Sequence, residues 1–280
     1  MARSTTIRLP AVAGRFYDSD PVALREELRG YLEDVGVPPD LGHVHALVSP
    51  HAGYMCSGPP AAHGYRQVQG EDYHRVVIIA PSHRPGFRGV AAHLGEAFRT
   101  PLGDVPIDRD FSERLIAEHE FIADLPHAHE GEHSLEIQLP FLQMVLSEWR
   151  LVPLLVSDQS ARPMTRLGEA LGSTLAGDST PTLVVASSDL YHGHDLSECR
   201  ASDRRCAAAV EAFDARALLD DLQSQHLMAC GGGPIAAAMI TARAMGARES
   251  HVLALTNSAE TCSGPGGYVV GYLSAALCER

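Results

Sequence analysis

The stretch VVIIAPSHRPG, Val76 to Gly86, decides the fold. Its β-branched, unbroken apolar start reads as a strand of a sheet covered on both faces. It ends in Pro81, Ser82 and His83. The same layout occurs earlier in ALVSPHAGY, Ala46 to Tyr54, and later in LVVASSDLYH, Leu183 to His192. Each apolar run therefore gives way to a polar end carrying a histidine. In an open α/β sheet, ligands bind beyond the carboxyl ends of the strands. If the three strands share one sheet, His51, His83, Asp189 and His192 face one crevice.

Working outward, strands alternate with helices. Asp20-Pro21 reads as a helix start, a capping Asp with Pro in the first turn, continuing as VALREELRGYLEDV. Further helices are expected at Ser57 to Val68, Asp108 to His119, His133 to Leu146, Pro163 to Leu175, Arg200 to Phe213, Ala215 to Gln225 and Ile235 to Met245. LVPLLV and TLVVAS are two more strands, and SHVLALTN and GYVVGYLS close the chain. The last two follow each other too closely for a crossover helix, so they form an antiparallel edge. No repeat or Gly/Ser linker divides the sequence. The expectation is one domain over residues 1–280: a layered α/β sandwich with a central, mixed, mostly parallel sheet flanked by helices.

Composition narrows the function. The formal net charge of -13 opposes a phosphate-backbone binder, so no nucleic-acid partner is expected. No apolar stretch is long enough to span a bilayer, and no secretory signal opens the chain. Six cysteines, at 56, 199, 206, 230, 262 and 278, form no CxxC. The expectation is a cytoplasmic protein with reduced thiols, and Cys56 is read as a packed residue. The absence of G-x-S-x-G, G-x-G-x-x-G, Walker A and H-E-x-x-H opposes the corresponding hydrolase, nucleotide and zincin readings. SGPGG, Ser263 to Gly267, reads as a tight loop.

Two imidazoles from separate strands begin a first-row metal site, and a catalytic site adds a third ligand and leaves positions open. Cys230, in HLMACGGGPIAAAM, is the candidate thiolate. A helix N-terminus would favour its anion, and the Gly run would let backbone approach a ligand. The same residues equally fit a flexible turn with a small buried Cys. Asp189 and His192 form a D-x-x-H pair suited to acid/base work, although Asp189 also fits a cap. In HEGEHSLEIQLP, His133 and Glu136 flank a helix start, and on local pattern the segment also reads as a surface loop.

Taken together, AGRFYDSDP, SPHAGY, APSHRPG, Thr100 to Asp104, EHSLEIQLPFLQ, SSDLYH and ACGGGPI cover nearly the whole chain. In that order they resemble the MEMO family, related to the class III extradiol ring-cleaving dioxygenases (LigB-like). The resemblance implies that fold, with His51, His83 and Cys230 as metal ligands, the thiol replacing a carboxylate. It implies His192 as acid/base and Asp189 and His133 as further pocket residues. It implies iron(II), with copper or zinc as alternatives, a small-molecule or peptide substrate, and neighbouring radical SAM and AMMECR1-like proteins as pathway partners. Three functions follow as expectations: a non-haem iron, dioxygenase-like oxidoreductase; a non-catalytic metal- or peptide-binding protein; and a zinc hydrolase.

Overall fold

A computed structural model describes residues 6–84, 86–262 and 267–280. Ser263 to Gly266, most of the SGPGG loop, lie outside the described residues. The chain begins with β1 (Ile7–Arg8), α1 (Pro21–Asp34), β2 (Val44–Ser49), α2 (Tyr54–Gln67), β3 (Arg75–Pro81) and β4 (Val90–Ala92). It continues with β5 (Ala97–Thr100), β6 (Gly103–Pro106), α3 (Arg109–Glu118), β7 (Ile122–Asp124), α4 (Pro126–His129), α5 (Leu139–Val145) and β8 (Arg150–Val156). Next come α6 (Ala161–Ala176), β9 (Thr182–Ser187), β10 (Asp189–Gly193), α7 (Leu196–Glu211), α8 (Ala215–Gln223) and α9 (Gly232–Met245). The chain closes with β11 (Glu249–Asn257), α10 (Ser258–Thr261) and β12 (Val269–Cys278).

The fold is mixed α/β: one large mixed sheet between two helical layers, plus the small sheet β1-β5-β6. Within the large sheet β2, β9, β3 and β8 are successive parallel neighbours. Every residue of β2, β3 and β9 is buried, which is why these strands read as continuous apolar runs. Their side chains alternate between two cores. Val77 and Ile79 pack with Leu167, Leu171 and Met239 of α6 and α9. Val76 and Ile78 pack with Leu24, Leu28, Tyr65 and Phe141 of α1, α2 and α5. Gly168 and Gly172 let α6 close on α9, since a Cβ at either would meet Ile240 or Ala244 at 2.7 Å.

The antiparallel edge is present. β12 pairs β11 along one side and, along the other, β10 through its start and β2 through its end. SSDLYH is thus not a loop after a strand. The chain leaves β9 at Ser187, passes over the end of β2 (Ser188 N–H donates to Ser49 O, 2.9 Å) and continues as β10 against β12. The cap of α1 is as expected, with Asp20 accepting from the N–H groups of Val22 and Ala23. Two helix starts differ. α2 begins at Tyr54, before its prolines. The 133–146 helix is a short 3-10 turn, Glu136–Gln138, followed by α5, with Pro140 in the first turn, where a missing N–H costs nothing.

The expectation of fully reduced thiols is corrected. Cys56 of α2 and Cys262, just beyond α10, are disulfide-bonded across 206 residues of sequence. Cys199, Cys206, Cys230 and Cys278 are free. Spacing rules read local pairs, and only the packing of α10 on α2 brings these two together. No helix among the described residues is long and apolar enough to cross a membrane. A cross-link closing so long a loop removes entropy from the unfolded chain. The double variant C56S/C262S is expected to lose about 2–5 kcal/mol in urea denaturation. A thiol reductant should lower the wild-type midpoint to match and leave the variant unmoved.

Candidate metal centre

Because β2, β9 and β3 are parallel neighbours, their carboxyl ends lie along one edge of the sheet. This places His51, Asp189 and His83 together. His51, His83 and His133 form one group whose potential ligand atoms all lie within 4.8 Å of one another. Ring centroids are 5.3 Å apart for His51 and His83, 5.7 Å for His51 and His133, and 4.6 Å for the stacked pair His83 and His133.

The hydrogen-bond network assigns the histidine tautomers. Ser187 Oγ donates its one proton to Ser134 O (2.6 Å) and accepts from Gln138 Nε2 (2.7 Å). It therefore accepts from His51 Nδ1 at 2.8 Å. The His51 lone pair is left on Nε2, where Cys230 Sγ lies 3.1 Å away. Burial first, then the neighbouring His83 and His133, push His51 well below the ordinary imidazole range, so it is neutral. His83 Nδ1 donates to Glu132 Oε1 at 2.9 Å, which frees its own Nε2. That hydrogen bond raises the His83 pKa. His133 Nδ1 lies 3.3 Å from the same oxygen, and burial lowers its pKa.

Glu132, missed in the sequence, is the hub. Its buried carboxylate also accepts from the N–H groups of His83 (2.6 Å), His133 (2.8 Å) and Ser134 (3.0 Å). Burial alone would raise it, but His83 and these N–H groups hold it well below the usual carboxylate range. Orienting a histidine through its far nitrogen is how proteins prepare imidazole for a metal.

Asp189, brought over the end of β2 by the strand switch, accepts from His51 N–H at 2.7 Å. It caps the His51 loop, not a following helix. Burial raises its carboxyl to about 6. His192 lies on β10 rather than in a loop. Its Nδ1 donates to Leu190 O at 3.0 Å, so Nε2 is free to accept a proton. Phe16 of the AGRFY segment adds an aromatic wall, 5.0 Å from His133.

Cys230 sits two residues before α9, its backbone N–H donating to Asp189 O (3.1 Å). Burial, then the Asp189 charge, push this thiol well above its ordinary value. The glycines allow close packing. A Cβ at Gly231 would lie 2.2 Å from Ser187 O. Glu136 opens the 3-10 turn, with its side chain turned inward. Fully buried, it pairs with Arg8 and accepts from Ala11 N–H (2.7 Å), Val12 N–H (3.1 Å) and Tyr17 Oη–H (2.6 Å). This sews the N-terminal segment onto the histidine loop.

Removing charge from one side of a buried ion pair strands the other. E136Q is expected to cost roughly 3 kcal/mol, read as a lowered urea midpoint, and to loosen Phe16 from His133.

The donor set fits a first-row metal: three imidazoles, two of them with Nδ1 tied back and Nε2 free, and a sulfur beside one of them. Comparison with known proteins agrees with the sequence motifs. A family model described as Memo-like protein matches residues 8–276. A MEMO1 family protein of Methanopyrus kandleri is 35% identical, covering 98% of this chain and 99% of its own. One from Methanothermobacter thermautotrophicus is 34% identical, covering 95% and 98%, and one from Sulfolobus acidocaldarius 34%, covering 96% and 98%. The chain belongs to the Memo-like family.

Proposed function

We propose that the chain is a metal-dependent oxidoreductase that uses iron(II) at the histidine cluster. The observation that carries this reading is the convergence of His51, His83 and His133, with Ser187 and Glu132 holding two of the rings by Nδ1. When bound, iron(II) supplies Lewis acidity and one-electron chemistry at its open positions. His51, His83 and His133 would hold it, with the Cys230 sulfur as a further donor beside His51. A neutral His51, kept so by burial, needs no deprotonation before it binds. The Cys230 thiol must give up its proton to join as a ligand.

The remaining residues handle protons and shape. His192, with Nδ1 anchored on Leu190 O, presents Nε2 as the acid/base group. Asp189 fixes the His51 backbone and, with its carboxyl near 6, titrates within reach of His192. A zinc hydrolase needs a carboxylate free to activate water. Glu132, bonded to the His83 ring, already accepts from four N–H donors, which speaks against Glu132 as the base of a hydrolase.

Protein loaded anaerobically with iron(II) and treated with nitric oxide should give the half-integer-spin EPR signal of an iron–nitrosyl centre. H51A and H83A should abolish it. E132Q should weaken iron affinity about 10- to 100-fold. Wild-type protein without iron affinity, or variants that bind as it does, would overturn the reading. Protein that binds iron yet takes up no oxygen with a panel of catechols and other small reductants would be a binding protein rather than an enzyme.

A further inference from the structure

We propose that the cavity beside His83 is a binding site for the oxyanion of the substrate, a carboxylate or phosphate on a small apolar body. This rests on the metal-centre reading above and specifies which substrates reach that centre. The cavity, about 650 Å³, is lined by His83, Arg84, Phe87, Arg88 and Asp158 among others. It therefore shares a wall with the histidine cluster. A second cavity of about 460 Å³ adjoins it through Arg84, Gly86 and Phe87.

Arg84 is exposed on the wall of both cavities. Its guanidinium lies over Gly131, where a Cβ would come within 2.7 Å of Nη2. Gly131, at φ +69, belongs to the turn that delivers Glu132 and His133. The guanidinium thus lies beside the turn that carries His133 and lines the cavity with His83.

Neither Arg84 nor Arg88 has an ion-pair partner among the described residues. The chain carries 35 acidic against 22 basic residues, so carboxylates are not scarce. Those on the cavity walls are turned elsewhere: Asp158 accepts from Ser160 N–H (2.9 Å) and Asp124 from Leu94 N–H (3.0 Å). Two guanidiniums thus remain for a ligand, with Asp158 also on the cavity wall. Guanidinium matches the planar, bidentate geometry of carboxylate and phosphate. Phe87 offers an apolar face to the body of the ligand. A substrate held by its oxyanion here directs its other end toward His83.

The test uses metal-free protein, so it does not depend on iron binding. Ligand-observed NMR titration compares benzoate with benzyl alcohol, a neutral molecule of similar shape. Benzoate is expected to bind at least about tenfold more tightly, and added sodium chloride should erase the difference. R84Q and R88Q should each weaken benzoate about tenfold and leave benzyl alcohol unchanged. Competition by inorganic phosphate would identify phosphate as an accepted head group; its failure to compete would leave carboxylate. Equal binding of benzoate and benzyl alcohol, or variants that bind benzoate like wild type, would overturn the proposal. Iron loading of the same variants should be unchanged, so failure of this site and failure of the metal reading are told apart.

Discussion

The carboxylate of Glu132 is the constraint on which the site depends. Buried, it would be costly as a lone charge. It survives because N–H donors from two separate loops converge on it: the His83 loop after β3 and the His133 segment before α5. Satisfying that one charge sets the position of both loops and the tautomer of His83. The stacking of His83 on His133 follows from it. A neutral residue at 132 would leave these donors without a common acceptor.

A second buried carboxylate repeats the device on a larger scale. Glu136 gathers Arg8, two backbone N–H groups and Tyr17, so the chain's first described segment closes one side of the site. Between the two acids, Ser187 and Gln138 link the end of β9 to the same segment. Asp189 then follows from topology. The chain crosses the end of β2 to reach β12, and the first side chain after the crossing meets the His51 N–H.

The electrostatics divide the three imidazoles. His51 is fully buried and driven neutral, while His83 sits half open against Glu132 and is drawn toward the charged form. His133, half-buried, is lowered overall, because burial outweighs the raising effect of Glu132. One edge of the sheet thus brings together imidazoles of different protonation tendency. Arg84 and Arg88 line the same cavity as His83.

Much of this was legible in the sequence. Continuous apolar runs could only be strands covered on both faces, and their polar ends named His51, His83, Asp189 and His192. The motif order identified the family. Local pattern could not reveal Glu132, since a charged residue in HEGEHS looks like a solvated loop until the loop is folded inward. It also could not show that Cys230 Sγ lies beside His51 Nε2. Nor could spacing pair Cys56 with Cys262, because contact between α2 and α10 is a property of the folded chain. The sequence by itself determined which residues end at the strand tips, because the period of burial is written in side-chain polarity. Only the tertiary structure decided which of them meet, because strand order, the crossing after β9 and the satisfaction of buried charge are long-range effects.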